Sequence, residues 1–244
     1  MKLNNTKQIR DSVAHICKKY GDIYWRALDK EKKYPSEFVK EMTDSGFLNV
    51  LIPEEFGGSG LGLIDACAVL EEISLNGAHA GACHAQMYVM GSILRHGTEE
   101  QKAKFLPKIS AGKLRLQSFA VTEPNSGTDT TNIKTFAEKT NSGWKVNGQK
   151  VWISRVEYSD LMLLLARTTP IEKVKKKTDG ISAFLVNIHD VKNKGLTISP
   201  IDSMINHHSC ELFFDDMAIP KESLVGKEHD GFKVIMDGMN AERI

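Results

Sequence analysis

The sequence predicts an α+β multidomain protein: an N-terminal all-α helical unit, a small middle β-barrel, and the first turns of a further helical unit. Three observations carry this. Up to Gly112, apolar residues recur at three- and four-residue steps, the spacing of one helix face. After Leu114 the pattern changes to short apolar segments separated by turn residues, the spacing of a small barrel or sandwich. From Gly231 helical spacing returns in Phe232, Ile235, Met236 and Met239. Boundaries at residues 1–114, 115–226 and 227–244 follow. A chain of 244 residues has room for such units, each with its own core.

In the first unit, Ile9, Val13, Ile16, Tyr20 and Ile23 predict one amphipathic helix from Thr6 to about Lys30. Pro35 suits the first turn of a second helix that buries Phe38 and Met42 and ends near Gly46. Leu51 to Gly62 is loop by composition. Its glycine cluster lacks the spacing and the βαβ context of a phosphate loop and reads as a connector. Leu63–Leu75 and Ala78–Arg95 read as two helices, the second rich in Ala, Gly and Met and suited to close packing. His79 and His84 are five apart, off the spacing of a helical metal pair, so they and His96 read as packing or solvent-facing side chains. Thr98-Glu99-Glu100-Gln101 is a capping box that opens a short helix, with Pro107 limiting it and Gly112 ending the unit.

The barrel strands are expected at Phe119–Val121, Trp144–Val146, Val151–Ile153, Leu161–Ala166, Ile181–Val186, Leu196–Ile198 and Leu212–Phe214. Asn147-Gly148 is the clearest hairpin turn, because type I′ geometry needs positive φ at both centres. The basic run Lys173–Lys177 reads as a solvated hairpin tip. Pro220 and Gly226 mark the way out of the barrel. The last helical pattern, through Asn240-Ala241-Glu242-Arg243-Ile244, stops without a terminating residue, and the chain is expected to be a piece of a longer protein.

Composition excludes several classes. A formal net charge of +1 argues against a polyanion partner such as nucleic acid. Cys17, Cys67, Cys83 and Cys210 are scattered and form neither a disulfide framework nor a zinc motif, which fits a reducing compartment. The first 20 residues lack the apolar core of a secretory signal, and no apolar run is long enough to span a bilayer. A cytoplasmic location is expected, or the mitochondrial matrix in a eukaryote.

Phe119 to Ser154 is the stretch the chain is organised around. A short apolar strand leads into Thr122-Glu123-Pro124-Asn125-Ser126-Gly127-Thr128-Asp129, dense in hydroxyls and turn formers. A hairpin follows whose far strand carries Trp152, Ile153 and Ser154. An aromatic ring beside small hydroxyl donors suits a flat redox-active ring, and the stretch reads as a flavin platform.

Four strings resemble the acyl-CoA dehydrogenase family, in the family's order and spacing. Pro53-Glu54-Glu55-Phe56-Gly57-Gly58 is similar to its PEE[FY]GG loop, and Gly97-Thr98-Glu99-Glu100-Gln101-Lys102 to its GTEEQK helix start. Phe119-Ala120-Val121-Thr122-Glu123-Pro124 with Gly127-Thr128-Asp129 resembles its [YF]xVTEPxxGSD signature, and Gly148 to Ser154 its GxKxWI[TS] strand. The resemblance covers essentially the whole chain. It implies an FAD enzyme that desaturates an acyl-CoA to a trans-2-enoyl-CoA, passes electrons to an electron-transfer flavoprotein, and assembles as a homotetramer or dimer. It also implies that the family's C-terminal four-helix domain is missing here except for its first turns.

Site roles follow from the resemblance position by position. Phe119, Val121 and Thr122 line the flavin ring, Trp152 packs against it, and Ser154 reaches its N5. Gly127 and Thr128 approach the FAD phosphates and the acyl-CoA, Thr128 replacing the family's usual Ser. Gly81, Ala82, Ala85 and Met90 leave room for an acyl chain. In the isovaleryl-CoA and long-chain branches the catalytic Glu directly precedes an Arg in the first C-terminal helix. That makes Glu242 the candidate base and Arg243 a candidate CoA anchor. A related flavin oxidase or monooxygenase, of the acyl-CoA oxidase or nitroalkane oxidase type, and a scaffold without catalysis are the alternatives.

Overall fold

The computed structural model describes residues 2–243, without the side chains of residues 2–5 and of Ala241. Ile244, the last residue of the expected helical run, lies outside them. The first apolar stripe is split into two helices, α1 (Lys2–Cys17) and α2 (Asp22–Glu31), where a single helix is expected. Gly21 sits between them in an extended conformation, a residue type that gains little from helix formation. The redirected α2 turns Ile23 out to solvent at 87% exposure, while Ile9, Val13 and Ile16 stay buried.

Helix α3 (Ser36–Asp44) starts directly after Pro35 and buries Phe38 and Met42, as the pattern requires. Helices α4 (Leu63–Leu75), α5 (Gly81–His96) and α6 (Glu99–Ser110) complete the helical unit. The predicted capping box is present: Gln101 N donates to Thr98 Oγ1 at 3.2 Å and Thr98 N donates to Gln101 Oε1 at 3.1 Å. Pro107 does not end α6, which runs on to Ser110. A proline so near the end removes one backbone bond, and the burial of Leu106 and Ile109 on either side of it holds the last turn.

The β region comprises β1 (Leu116–Ala120), β2 (Phe136–Lys139), β3 (Gly143–Ser154), β4 (Leu161–Arg167) and β5 (Ile181–Asn187). A one-turn helix α7 (Ile188–Val191) separates these from β6 (Leu196–Pro200), β7 (Ser209–Pro220) and β8 (Leu224–Val225). They form one sheet in the order β6-β7-β3-β2-β4-β5-β8, with β1 pairing parallel to β4. The expected barrel does not close: among the described residues no ladder joins β6 to β8. Lys173–Lys177 lies in the exposed connection of the antiparallel β4–β5 pair, as expected of a hairpin tip.

The two segments expected at Trp144–Val146 and Val151–Ile153 are one continuous strand, so Asn147-Gly148 is not a hairpin turn. The turn lies at Asn141-Ser142, closed by Thr140 N donating to Gly143 O at 2.9 Å. Gly148 instead marks a register shift against β7, at φ +143°. A Cβ there would sit 2.6 Å from Thr135 Oγ1 and 2.7 Å from Thr135 Cα, so the glycine serves close backbone approach.

Strand β4 is buried on both faces, which explains its uninterrupted apolar run. Met162, Leu164 and Ala166 join a core with Trp144, Phe184 and Leu212. Leu161, Leu163 and Leu165 join a second core with residues of α5 and α6 and with Val234 and Ile235 of the last helix, α8 (Gly231–Glu242). A third core, from α1, α3, α4 and the start of α5, closes the helical end. One face of β4 is thus part of the apolar seat of α5, α6 and α8. Among the described residues no helix is long and apolar enough to cross a membrane.

Candidate functional site

Between β1 and β2 the chain crosses the end of β3, and a buried ion pair fixes its path. Lys150 Nζ reaches Glu123 Oε1 at 2.9 Å and donates to Val121 O at 2.9 Å. The other bonds to Glu123 come from Lys134 N at 2.6 Å and Thr135 N at 3.0 Å. Burial works against ionisation of Glu123, but the Lys150 charge and these N–H groups hold its carboxyl below the usual range. Val151 N donates to Thr122 O at 3.0 Å, pinning the loop to β3. Glu123 and Ser126 exchange backbone bonds at 3.1 and 3.0 Å, a tight turn that presents Gly127.

On β3 the register with β7 slips between Lys150 and Ile153. Trp152 takes φ +62° there, a left-handed conformation that costs a bulky residue about 1–3 kcal/mol. The bulge re-aims the indole, 58% exposed, away from the core.

Phe119, Val121, Thr122 and Gly127 from the loop side and Trp152 and Ser154 from β3 line one cavity of about 310 Å³. Glu242, from the end of α8, lines it too. Helix α8 is seated by buried Val234 and Ile235, by His96 Nε2 at 2.6 Å from Asp237 Oδ2, and by Arg95 Nη1 donating to Asp237 O at 3.3 Å. Burial raises the Glu242 carboxyl above its ordinary pKa, with Arg243 pulling the other way. Thr128 and Arg243 do not join this lining; both side chains are exposed.

Gly81 and Ala85, expected beside an acyl chain, line the cavity together with His84 and Tyr88, which the sequence patterns leave unmarked. Gly81, His84, Ala85 and Tyr88 follow i, i+3, i+4, i+7 spacing and present one stripe of α5 to it. Ala82 and Met90, expected near an acyl chain, are buried elsewhere in the helix packing. His84 is therefore a cavity side chain and not a bystander. Burial lowers its pKa, offset in part by the Glu242 backbone beside it. Its ring lies 5.0 Å from that of Tyr88, which in turn meets Phe119 edge-on at 5.8 Å. Arg155 and His207 complete this side. For His84 and Tyr88 the i/i+4 repeat was the one signal available; Arg155 and His207 carry none, because they meet only in three dimensions.

The cavity is fit for a flat polar ring. Among the described residues neither the Thr122 nor the Ser154 hydroxyl has a protein partner, and a Cβ placed on Gly127 would meet no atom within 4 Å. Unclaimed hydroxyls beside an exposed indole are the donor set that an isoalloxazine edge and face can use.

The family models for the acyl-CoA dehydrogenase N-terminal domain and the acyl-CoA dehydrogenase middle domain match residues 4–113 and 118–217. The chain is 31% identical to isovaleryl-CoA dehydrogenase, mitochondrial, from Pongo abelii, over 98% of this chain and 56% of that one. It is 32% identical to an acyl-CoA dehydrogenase of Bacillus subtilis, over 89% of this chain and 56% of that one. The crystal structure of acyl-CoA dehydrogenase from Geobacillus kaustophilus superposes with a TM-score of 0.89 at 30% identity, covering 98% of this chain and 62% of that one. The chain thus spans little more than half the length of the curated relatives it matches. In sequence and in fold, it belongs to the acyl-CoA dehydrogenase family and carries that family's N-terminal and middle domains.

Proposed function

We propose that the chain carries the flavin-facing and substrate-facing parts of an FAD-dependent acyl-CoA dehydrogenase that forms a trans-2-enoyl-CoA. The observation that supports this most is the common cavity: Glu242 faces the same space as Phe119, Thr122, Trp152 and Ser154. Bound FAD supplies the acceptor for the β-hydrogen of the acyl group, which leaves as hydride. In this reading the chain's own residues do the rest. The indole of Trp152 would pack against the isoalloxazine, Phe119, Val121 and Thr122 would line it, and the Thr122 and Ser154 hydroxyls would be the donors to its edge. Glu242 removes the α-proton, so that one C–H pair of electrons becomes the new C=C bond. Gly127 and Thr128 serve the FAD phosphates, and Thr128 and Arg243, outside the cavity lining, serve the CoA portion. Electrons then pass to an electron-transfer flavoprotein. The protein is further proposed to work as a homotetramer or dimer, in the cytoplasm or, in a eukaryote, the mitochondrial matrix.

The test is Glu242→Gln in the flavin-loaded protein, with bleaching of the flavin by a saturated acyl-CoA followed in anaerobic stopped flow. The expected loss is about 10²–10⁴-fold in reduction rate, with flavin content unchanged. Because a base must be ionised, the wild-type rate falls as pH drops through a carboxyl value above the usual glutamate range. Unchanged reduction in the variant removes Glu242 from the mechanism. Rapid reoxidation of the reduced flavin by air, with peroxide release, would move the protein to the oxidase branch.

A further inference from the structure

Arg155 is a buried cation without an anion. Its side chain lines the cavity, the residue is 5% exposed, and among the described residues no carboxylate comes within ion-pair distance of it. The backbone is held firmly: Arg155 N donates to His208 O at 2.8 Å, and its carbonyl accepts from Ser159 Oγ at 2.9 Å, with φ at +58°. The guanidinium has one polar contact, Nη2 at 3.5 Å from His207 Nδ1. It lies against the first residue of α5, where a Cβ on Gly81 would fall 2.5 Å from Nη2. Glycine at that position leaves the space the guanidinium occupies.

The groups around it do not neutralise it. Burial pushes the Tyr34 phenol and the Cys83 thiol up to about 12 and raises Tyr88 as well, so all three are uncharged at neutral pH. Burial, with Arg155 next, takes His207 down to about 4, and His79 is lowered for the same two reasons. The N-terminus of α5 beside the guanidinium has no side-chain cap, so its partial positive charge adds to that of Arg155. With Nδ1 of His207 turned to the guanidinium, its Nε2 is the atom left to carry a proton and donate. A buried guanidinium in such surroundings is costly unless an anion joins it.

We propose that Arg155 binds a carboxylate at the far end of the substrate's acyl chain, so that the preferred thioester is an ω-carboxyacyl-CoA. This rests on the acyl-CoA dehydrogenase reading of the same cavity. One fixed positive charge matches one negative charge, and the planar guanidinium fork pairs a carboxylate through two parallel bonds. Arg155 makes no ion pair with Glu242 although both line the cavity; the charge beside Glu242 is that of Arg243. An anion held by Arg155 therefore leaves Glu242 free for the α-proton. Arg155 is a specificity residue in this proposal and takes no part in the chemical step.

The experiment compares flavin reduction in the FAD-loaded protein by length-matched pairs: succinyl-, glutaryl- and adipoyl-CoA against butanoyl-, pentanoyl- and hexanoyl-CoA. The expected result is a preference in kcat/KM on the order of 100-fold for the carboxylate of at least one pair. Arg155→Gln is expected to abolish that preference while still reducing with the methyl-ended partner, and Arg155→Lys to keep part of it. The wild-type ratio requires no variant, so it decides even if Arg155→Gln does not fold. Equal or better use of every methyl-ended thioester overturns the carboxylate proposal and leaves the dehydrogenase reading standing. Reduction by neither series overturns both. Free acetate that raises the wild-type melting temperature but not that of Arg155→Lys, with no carboxylate preference in turnover, assigns the site to small anions and overturns the substrate proposal.

Discussion

Lys150 and Glu123 place a full ion pair out of water, at 0% and 3% side-chain exposure. Burial pulls the Lys150 ammonium below its ordinary value, with Glu123 opposing, while the Lys150 charge holds the Glu123 carboxyl down against its own burial. Such a pair adds little over an apolar replacement, but removing one partner strands the other. Lys150→Met is therefore expected to destabilise the chain by about 3–5 kcal/mol in urea unfolding, and adding Glu123→Gln to restore a good part of that. A single variant that unfolds at the wild-type midpoint would show that water reaches Glu123. The pair also orders the loop, since Lys150 Nζ holds the Val121 carbonyl next to Thr122. The Val121-Thr122-Glu123-Pro124 string is legible as a platform, yet the reason for its glutamate is not, because the partner lies 27 residues on.

Elements were readable where their determinants are local. The Thr98 cap needs only the next three residues, and the structure has it as expected. Asn147-Gly148 misleads because a turn dipeptide and a close-approach glycine look alike in sequence; the deciding atom belongs to Thr135, on the paired strand's approach. Pro107 misleads likewise, since the side chains that bury Leu106 and Ile109 come from elements distant in sequence. The reading of Gly148 can be tested. Gly148→Ala meets Thr135 backbone as well as its side chain, at positive φ, so no rotamer change relieves it. A loss of about 1–3 kcal/mol is expected in thermal unfolding, larger than an exposed turn glycine would give. A neutral substitution would return the dipeptide to the role of an unstrained turn. The strand between Gly148 and Ser154 also carries the bulge at Trp152, so the same variant is expected to weaken flavin retention.

At the scale of the molecule, the cavity is completed by segments far apart in sequence, brought together across β4 and β5. The platform leaves β1 near the middle of the sequence, and Glu242 arrives from α8, 120 residues after Thr122 by their numbers. That meeting is carried by the seat of α8: Val234 and Ile235 in the core beneath it, and Asp237 tied to the end of α5 by His96 and Arg95. The apolar contacts fix the first turns, whereas the Asp237 contacts lie one turn before Glu242 and fix its approach. Asp237→Ala removes a partly exposed polar tie, so the stability cost is small, about 1 kcal/mol. With Glu242 as the proposed base, its effect on the carboxylate's position is expected to be larger, because misplacement by an ångström would suffice to slow proton abstraction substantially. The variant should retain flavin and melt within a few degrees of wild type, yet show flavin reduction slowed by about tenfold or more, chiefly in kcat. Wild-type reduction kinetics in Asp237→Ala would mean that the His96 contact is only a surface tie, and that Val234, Ile235 and the Arg95 bond to the Asp237 carbonyl, which the variant keeps, suffice to position Glu242.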